Sequence, residues 1–273
     1  MKKNVLGVFV LLCCLVWAGS ALAASSAKPA AFQKTDARIA LLLEQAHNDL
    51  AAMAELDLVK NSLGKTAVYK RAKDVITLKY EQMSARDQKL YRIFNAIHES
   101  NPRYGFVYIG LKDGGFVQAP DQDSLKPGYD PSLRPWYREG MASPEAVNLS
   151  NPYVSTAGHT TISMNRKVQG KDGNVFGMVG IDIDLTGIVN EFLQLASSPK
   201  AILVVLDSSG ETVLSSVRKD GTVLEFSEKD RLALSSFAKT SAGSARLALE
   251  GGQKNVDAYT SSALGWKILL VSP

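Results

Sequence analysis

Cysteine is nearly absent from this 273-residue chain, and its two copies, Cys13 and Cys14, are adjacent and lie within the first 23 residues. The rest of the chain therefore has no disulfide framework and no thiolate metal site, so its stability must come from an apolar core. Histidine is scarce too. His47, His98 and His159 are far apart; the first two fall in helical patterns and the third in a loop after Gly158, as a turn residue or a ligand contact. No nucleophile with a base, no carboxylate pair and no set of metal ligands stands at matched spacing, which leaves no enzyme and no cofactor to argue for. Glycine-rich phosphate cradles are missing; Gly177 and Gly180 lie inside a strand pattern, where glycine marks a bulge or a close approach. Charge of one sign is also lacking. The formal net charge is +4, with 31 basic and 27 acidic residues, and no basic run is dense enough to follow a phosphate backbone, so nucleic acid is not a partner.

Only one long apolar run is present, and it sits at the start. Lys2 and Lys3 precede the uncharged stretch Val5 to Trp17, and Ala21-Leu22-Ala23 follows as a small-x-small pattern. Residues 1–23 read as a signal peptide cleaved after Ala23, which sends the remainder to the periplasm or outside the cell. The alternative is an uncleaved anchor over Val5 to Ala24, which could just span if tilted.

The chain as a whole has the 45% hydrophobic and 21% charged content of a globular protein. Residues 24–33, rich in Ala, Ser and Pro, read as a flexible start. Thr35 or Asp36 can then cap a helix on which Ile39, Leu43, Ala46, Leu50 and Met53 share one stripe. That stripe predicts packing on the chain's own domain or a weak parallel homodimer. Asn61 to Gly64 breaks the helix, and two more helical stretches, Thr66 to Met83 and Ala85 to Glu99 behind a Ser84 cap, end at Asn101-Pro102. The period then becomes strand-like. Tyr104 to Leu111 and Phe116 to Ala119 form a hairpin, residues 120–135 a long irregular loop of the kind that carries function, and Thr160 to Val168 and Val175 to Ile183 two further strands, before a helix from about Leu185 to Ala196. A second unit repeats this order with Ala201 to Leu206, a turn at Asp207 to Gly210 and Thr212 to Leu214. A helix from Glu228 to Ala238 and strands near Ser244 to Leu249, Val256 to Tyr259 and Trp266 to Val271 complete it. The fold class is α+β: a flexible start and long N-terminal helix over residues 24–65, then two related domains with antiparallel sheets at 66–198 and 199–273.

Three blocks stand out. They are Gly128-Tyr129-Asp130-Pro131-Ser132-Leu133-Arg134-Pro135-Trp136-Tyr137, Asn151-Pro152-Tyr153-Val154 and Gly177 to Asp184. In this order and spacing they resemble the membrane-distal half of double Cache sensor domains, which stand outside bacterial chemoreceptors and sensor kinases. The resemblance covers nearly all of the chain after the signal peptide and implies two PAS-like domains, the second closed by a strand such as Gly265 to Leu270. It also implies an amino-acid ligand, because the residue types that surround the ligand in amino-acid-binding members recur here as Tyr129, Arg134, Trp136, Tyr137, Tyr153 and Asp182. The chemistry agrees: an α-amino acid needs a cation with donors for its carboxylate, as in Arg134, and an anion for its ammonium, as in Asp182. Other readings of the same residues stay open. Trp136 and Tyr137 could be core aromatics, Arg134 could form a structural ion pair with Asp182 or Asp130, and Asp184 reads as a helix cap.

The side-chain end of a ligand would meet residues such as Tyr108, Gln118 or Met164. Relatives continue into a membrane helix and an output domain, whereas this chain stops at Pro273. It is expected to bind a small molecule and to act through a separate membrane receptor or kinase, or else to be an interaction subunit with a vestigial pocket.

Overall fold

The structure is a computed structural model. It describes residues 19–273 apart from Ser197, Glu211, Thr212, Lys219, Asp220, Gly221, Val223, Ser241 and Ala242. The charged start and apolar run of the expected signal peptide lie outside the described residues, as does Thr212 of the expected second hairpin. Among the described residues no helix is long and apolar enough to cross a membrane.

The chain starts with a long helix, α1 (Gly19–Glu55), and the short α2 (Asp57–Lys60) follows it. The first unit then comprises β1 (Ile76–Thr77), α3 (Ala85–Ser100), β2 (Tyr104–Leu111), β3 (Phe116–Ala119), β4 (Ser124–Leu125), α4 (Pro135–Ala142), β5 (Val147–Leu149), β6 (Tyr153–Val154), β7 (Thr160–Gln169), β8 (Val175–Asp184) and α5 (Leu185–Leu193). Its sheet is antiparallel in the order β3-β2-β8-β7-β5, with β6 also on β7, while β1 and β4 form a separate ribbon. Alternation along each strand divides the sheet into two faces. Val107 and Ile109, Val117 and Ala119, Ile162 and Met164, and Ile181 and Ile183 join Leu90 and Phe94 of α3 and the apolar stripe of α1 in the main core.

The second unit comprises β9 (Ile202–Leu206), β10 (Val213–Arg218), α6 (Glu228–Thr240), β11 (Gly243–Leu249), β12 (Gly252–Ser261) and β13 (Trp266–Ser272), in the sheet order β10-β9-β13-β12-β11. One face carries Leu203, Val205, Ile268 and Leu270 into the same main core, and the other packs Val204, Val256, Leu269 and Val271 on Leu234 and Ala238 of α6. A continuous apolar core along α1 therefore joins the two sheets.

Four local expectations fail, each for a packing reason. Residues 24–33 are helical, not a flexible start. Phe32 within them stacks on Phe192 of α5 at 5.1 Å and on Tyr259 of β12 at 4.3 Å, which gives this end of the helix tertiary anchors. Asp36 lies inside α1, and its carboxylate instead holds the turn after β12, accepting from Ser262 N at 3.0 Å, from Ala263 N at 3.4 Å and from the Ser261 hydroxyl. The stripe Ile39, Leu43, Ala46, Leu50 and Met53 is at most 7% exposed, covered by the chain's own sheets, so a homodimer through it is incompatible with this packing. Residues 66–83 are not a helix. Val75-Ile76-Thr77 favours a strand by β-branching, and the segment is tied to β3 by Phe116 N to Ala67 O at 3.0 Å and to the residue before β4 by Leu78 N to Asp123 O at 2.8 Å. The Ser84 cap is present, its hydroxyl accepting from Asp87 N at 3.1 Å.

Candidate functional site

The first sheet's other face is aromatic. Leu78, Tyr108, Phe116, Leu125, Tyr129, Trp136, Tyr137 and Met178 form a buried cluster separate from the main core, with Tyr69, Phe106 and Tyr153 at its margin. Two glycines make room for it. A Cβ on Gly180 would stand 2.5 Å from both Tyr108 Cζ and Asn165 Oδ1, and one on Gly110 would stand 2.6 Å from Trp136 Cη2. The close approach read at Gly180 from the strand pattern is thus the passage of the Tyr108 ring over the middle of β8.

That passage delivers the Tyr108 hydroxyl to Asp182. The hydroxyl donates to Asp182 Oδ1 at 2.8 Å, as does the Tyr153 hydroxyl at 2.9 Å, and the Ser163 hydroxyl donates to the same oxygen. Ser163 and Asp182 are register partners on β7 and β8, while β6 brings Tyr153 in from the edge through its pairing with Thr161. Asp182 is 4% exposed. Burial raises its pKa to about 6 against the lowering effect of the three hydroxyl donors and of Arg134. Burial and the neighbouring carboxylate also hold the Tyr108 and Tyr153 phenols well above their ordinary range, so both remain donors. All three bonds converge on Oδ1; among the described residues Oδ2 accepts none.

The opposite charge comes from the loop before α4. Asp130 caps a 3₁₀ turn at Pro131–Leu133, accepting from Ser132 N at 2.9 Å and Ser132 Oγ at 2.7 Å. Arg134 sits where that turn passes into α4, with Pro135 as the first helical residue. It is half-buried, its Nη2 donates to Val154 O at 2.8 Å, and its guanidinium lies over the Tyr153 ring at 5.8 Å. Its Nε is buried without a partner. Among the described residues Arg134 forms no ion pair, so neither structural pairing left open by the sequence, with Asp182 or with Asp130, is made.

Tyr129 is buried with its ring 4.9 Å from Phe116, and among the described residues its hydroxyl has no hydrogen-bond partner. Trp136 is 4.7 Å from the Tyr108 ring and 5.5 Å from Tyr137. The structure thus brings Tyr129, Arg134, Trp136, Tyr153 and Asp182 around one aromatic cluster. Tyr137 belongs to the same cluster, and its hydroxyl is buried without a partner. Asp184 caps α5 through Thr186 N at 2.9 Å and Gly187 N at 3.2 Å. His159 is an exposed turn residue whose carbonyl accepts from Ser155 N at 2.9 Å.

No motif in the sequence singles out Ser163 and Asn165, and Tyr108, expected near the side-chain end of a ligand, donates its hydroxyl to Asp182. The period-2 alternation of β7 against Ile162 and Met164 was the available signal; the same alternation puts Met164 in the main core, away from the site. Gln118 does lie on the site face, beside Tyr108, and donates to Asp123 Oδ2 at 3.1 Å. A cleft of about 660 Å³ against the second sheet, lined by Arg246, Asn255 and Asp257 among others, shares none of these residues and has no aromatic wall. Chemistry, not volume, singles out the aromatic face: an uncommitted cation and a buried anion with one open oxygen. Among the described residues no group of three or more His, Cys, Asp or Glu could hold a metal ion.

No profile of a known protein family matches the chain. It is 25% identical over 228 residues to a probable methyl-accepting chemotaxis protein of Bacillus thuringiensis, a match covering 82% of this chain and 33% of that protein. The chain therefore spans about a third of that relative's length. Among solved structures it is similar to the ligand-binding domain of the Pseudomonas aeruginosa amino-acid chemoreceptor PctB in complex with L-glutamine. The TM-score is 0.59 at 17% identity, over 88% of this chain and 87% of that one. It is also similar to the ligand-binding domain of the Pseudomonas fluorescens chemoreceptor CtaA in complex with L-isoleucine, with a TM-score of 0.60 at 19% identity over 88% of each chain. With its long helix and two sheet-bearing units, the chain has the double Cache architecture of chemoreceptor ligand-binding domains.

Proposed function

We propose that the chain is an exported, periplasmic sensor module that binds a free α-amino acid on the aromatic face of its first sheet. The α-carboxylate is held by Arg134 and the α-ammonium by Asp182. The observation that carries this reading is the asymmetry of Asp182: among the described residues three hydroxyls fix Oδ1 while Oδ2 accepts nothing, beside an arginine that forms no ion pair there. A zwitterion supplies both missing partners at one carbon. Tyr129, Trp136 and Tyr153 enclose it with rings and add donors. The similar PctB and CtaA domains hold L-glutamine and L-isoleucine, which supports an amino acid over other small zwitterions. A membrane receptor or kinase is the partner to which occupancy is reported.

Thermal-shift screening of the twenty amino acids and of small organic acids tests the reading. A ligand at a hundred times its dissociation constant stabilises by about 2.7 kcal/mol, a shift of a few degrees at this size. Amino acids raising the melting temperature while their N-acetyl derivatives and amides do not is the expected result. No shift with any compound would leave the interaction subunit with a vestigial pocket as the better account.

A further inference from the structure

The charges around Tyr129 do not balance. Arg134 lies within electrostatic reach of it, but so do Asp182, Asp123 and Asp130. An α-amino acid bound as proposed would pair with Arg134 and Asp182 and leave two carboxylates. Asp130 is occupied with the backbone and hydroxyl of Ser132, which cap its turn. Asp123 is not. Among the described residues its carboxylate accepts one hydrogen bond, from the neutral amide of Gln118, and forms no ion pair.

Its position follows from the ribbon over the site. Leu78 and Leu125, both in the aromatic cluster, flank the segment, and Asp123 O accepts from Leu78 N at 2.8 Å, which pins the residue at the edge of that cluster. Gln118 is the β3 register partner of Tyr108 and 2% exposed, so the Gln118–Asp123 pair closes the site on the β3 side, across β2 from Asp182. Tyr129 is over nine-tenths buried with its ring 4.9 Å from that of Phe116 on β3, and its hydroxyl is unpartnered among the described residues.

We infer that the site selects an α-amino acid with a cationic side chain, whose charged end is held by Asp123 with Gln118 beside it. This rests on the amino-acid reading above and adds the substrate class. A half-buried carboxylate attracts a cation far more strongly than water does, because the local dielectric is lower. Neutral side chains of equal length leave it without a counter-charge.

L-Arginine and L-citrulline make the test, since they have nearly the same shape and differ in charge. Calorimetric titration of the wild-type chain should show L-arginine binding at least about tenfold tighter than L-citrulline, with L-lysine also ahead of L-norleucine. In Asp123→Asn, which keeps an acceptor for Gln118, L-arginine should weaken to within about threefold of L-citrulline while L-citrulline is unchanged. L-Citrulline matching L-arginine on the wild type overturns the inference with no variant needed, and leaves the amino-acid site standing. Equal loss of both ligands in Asp123→Asn also overturns it. Absence of binding by any amino acid defeats the underlying reading along with it.

Discussion

Tyr108 and Gly180 are register partners on β2 and β8, and the phenol ring occupies the space where a side chain on Gly180 would begin. The ring can therefore lie flat across β8 and carry its hydroxyl to Asp182, Ser163 and Asn165 at 2.8, 2.9 and 3.2 Å. The glycine is a condition for the anion site, because any Cβ would lift the ring off the strand and take a donor from Asp182.

Gly180→Ala should accordingly destabilise the protein by about 1 to 3 kcal/mol through overpacking and weaken amino-acid binding as well. Gly105→Ala is the control. A Cβ there meets nothing nearer than Asp182 O at 3.7 Å, so both melting temperature and affinity should stay near wild type. Equal effects of the two substitutions would show that the Tyr108 approach is not what Gly180 provides.

The two-sheet architecture was legible in the sequence because alternating strands bounded by glycine turns are local signals, and β2, β3, β7, β8 and β11 to β13 all emerge near their expected bounds. The failures share a cause. Residues 24–33, Asp36 and residues 66–83 take their structure from distant partners, namely Phe192 and Tyr259, the turn after β12, and β3 with Asp123, and no short window contains those. The candidate site divides in the same way. The motif residues Tyr129 to Trp136 are contiguous enough to be seen. Ser163 and the role of Tyr108 depend on strand register, which one sequence does not display.

Asp36 offers a test of how the second sheet is held to α1. Its carboxylate is a three-way acceptor for the turn at Ser261 to Ala263. Asp36→Ala leaves those groups without an acceptor and should cost about 1 to 3 kcal/mol, read as a lower melting temperature. The proposed amino-acid site lies on the first sheet, so ligand affinity measured well below the melting point should be unchanged. A loss of affinity as large as that seen in Asp182→Ala would show instead that the site depends on the docking of the second unit.

Arg134→Ala and Asp182→Ala separate the two ends of the ligand. Each removes one partner of a hydrogen-bonded charge pair, a loss of about 2 to 5 kcal/mol and so well over tenfold in affinity. Arg134→Ala should abolish binding of compounds with a free α-carboxylate, and Asp182→Ala that of compounds with a free α-ammonium. Because the two side chains make no ion pair with each other among the described residues, the ligand-free melting temperature of Arg134→Ala should remain close to wild type, whereas Asp182→Ala leaves three hydroxyl donors without their acceptor and should cost about 1 to 3 kcal/mol. Unchanged affinity with a collapsed melting temperature would assign both residues to structure alone.

The raised pKa of Asp182 fixes the sign of two pH dependences. Its folded value is about 6 against an unfolded 3.8, chiefly because of burial. Between these values the folded state holds more protons than the unfolded state, so this group's contribution to stability is fully present below about pH 4. It is lost as pH rises through 6, by about 3 kcal/mol for a shift of this size. Asp87, also raised by burial, changes stability in the same sense, so the Asp182 part is the difference between wild type and Asp182→Asn. The ligand reverses the preference: an ammonium beside Oδ2 favours the carboxylate, so amino-acid affinity should fall about tenfold per pH unit below 6. Binding at pH 5 should then release a proton, detected as a dependence of the calorimetric heat on the ionisation enthalpy of the buffer. Affinity that stays flat from pH 5 to 8 with no proton release would place the ammonium away from Asp182.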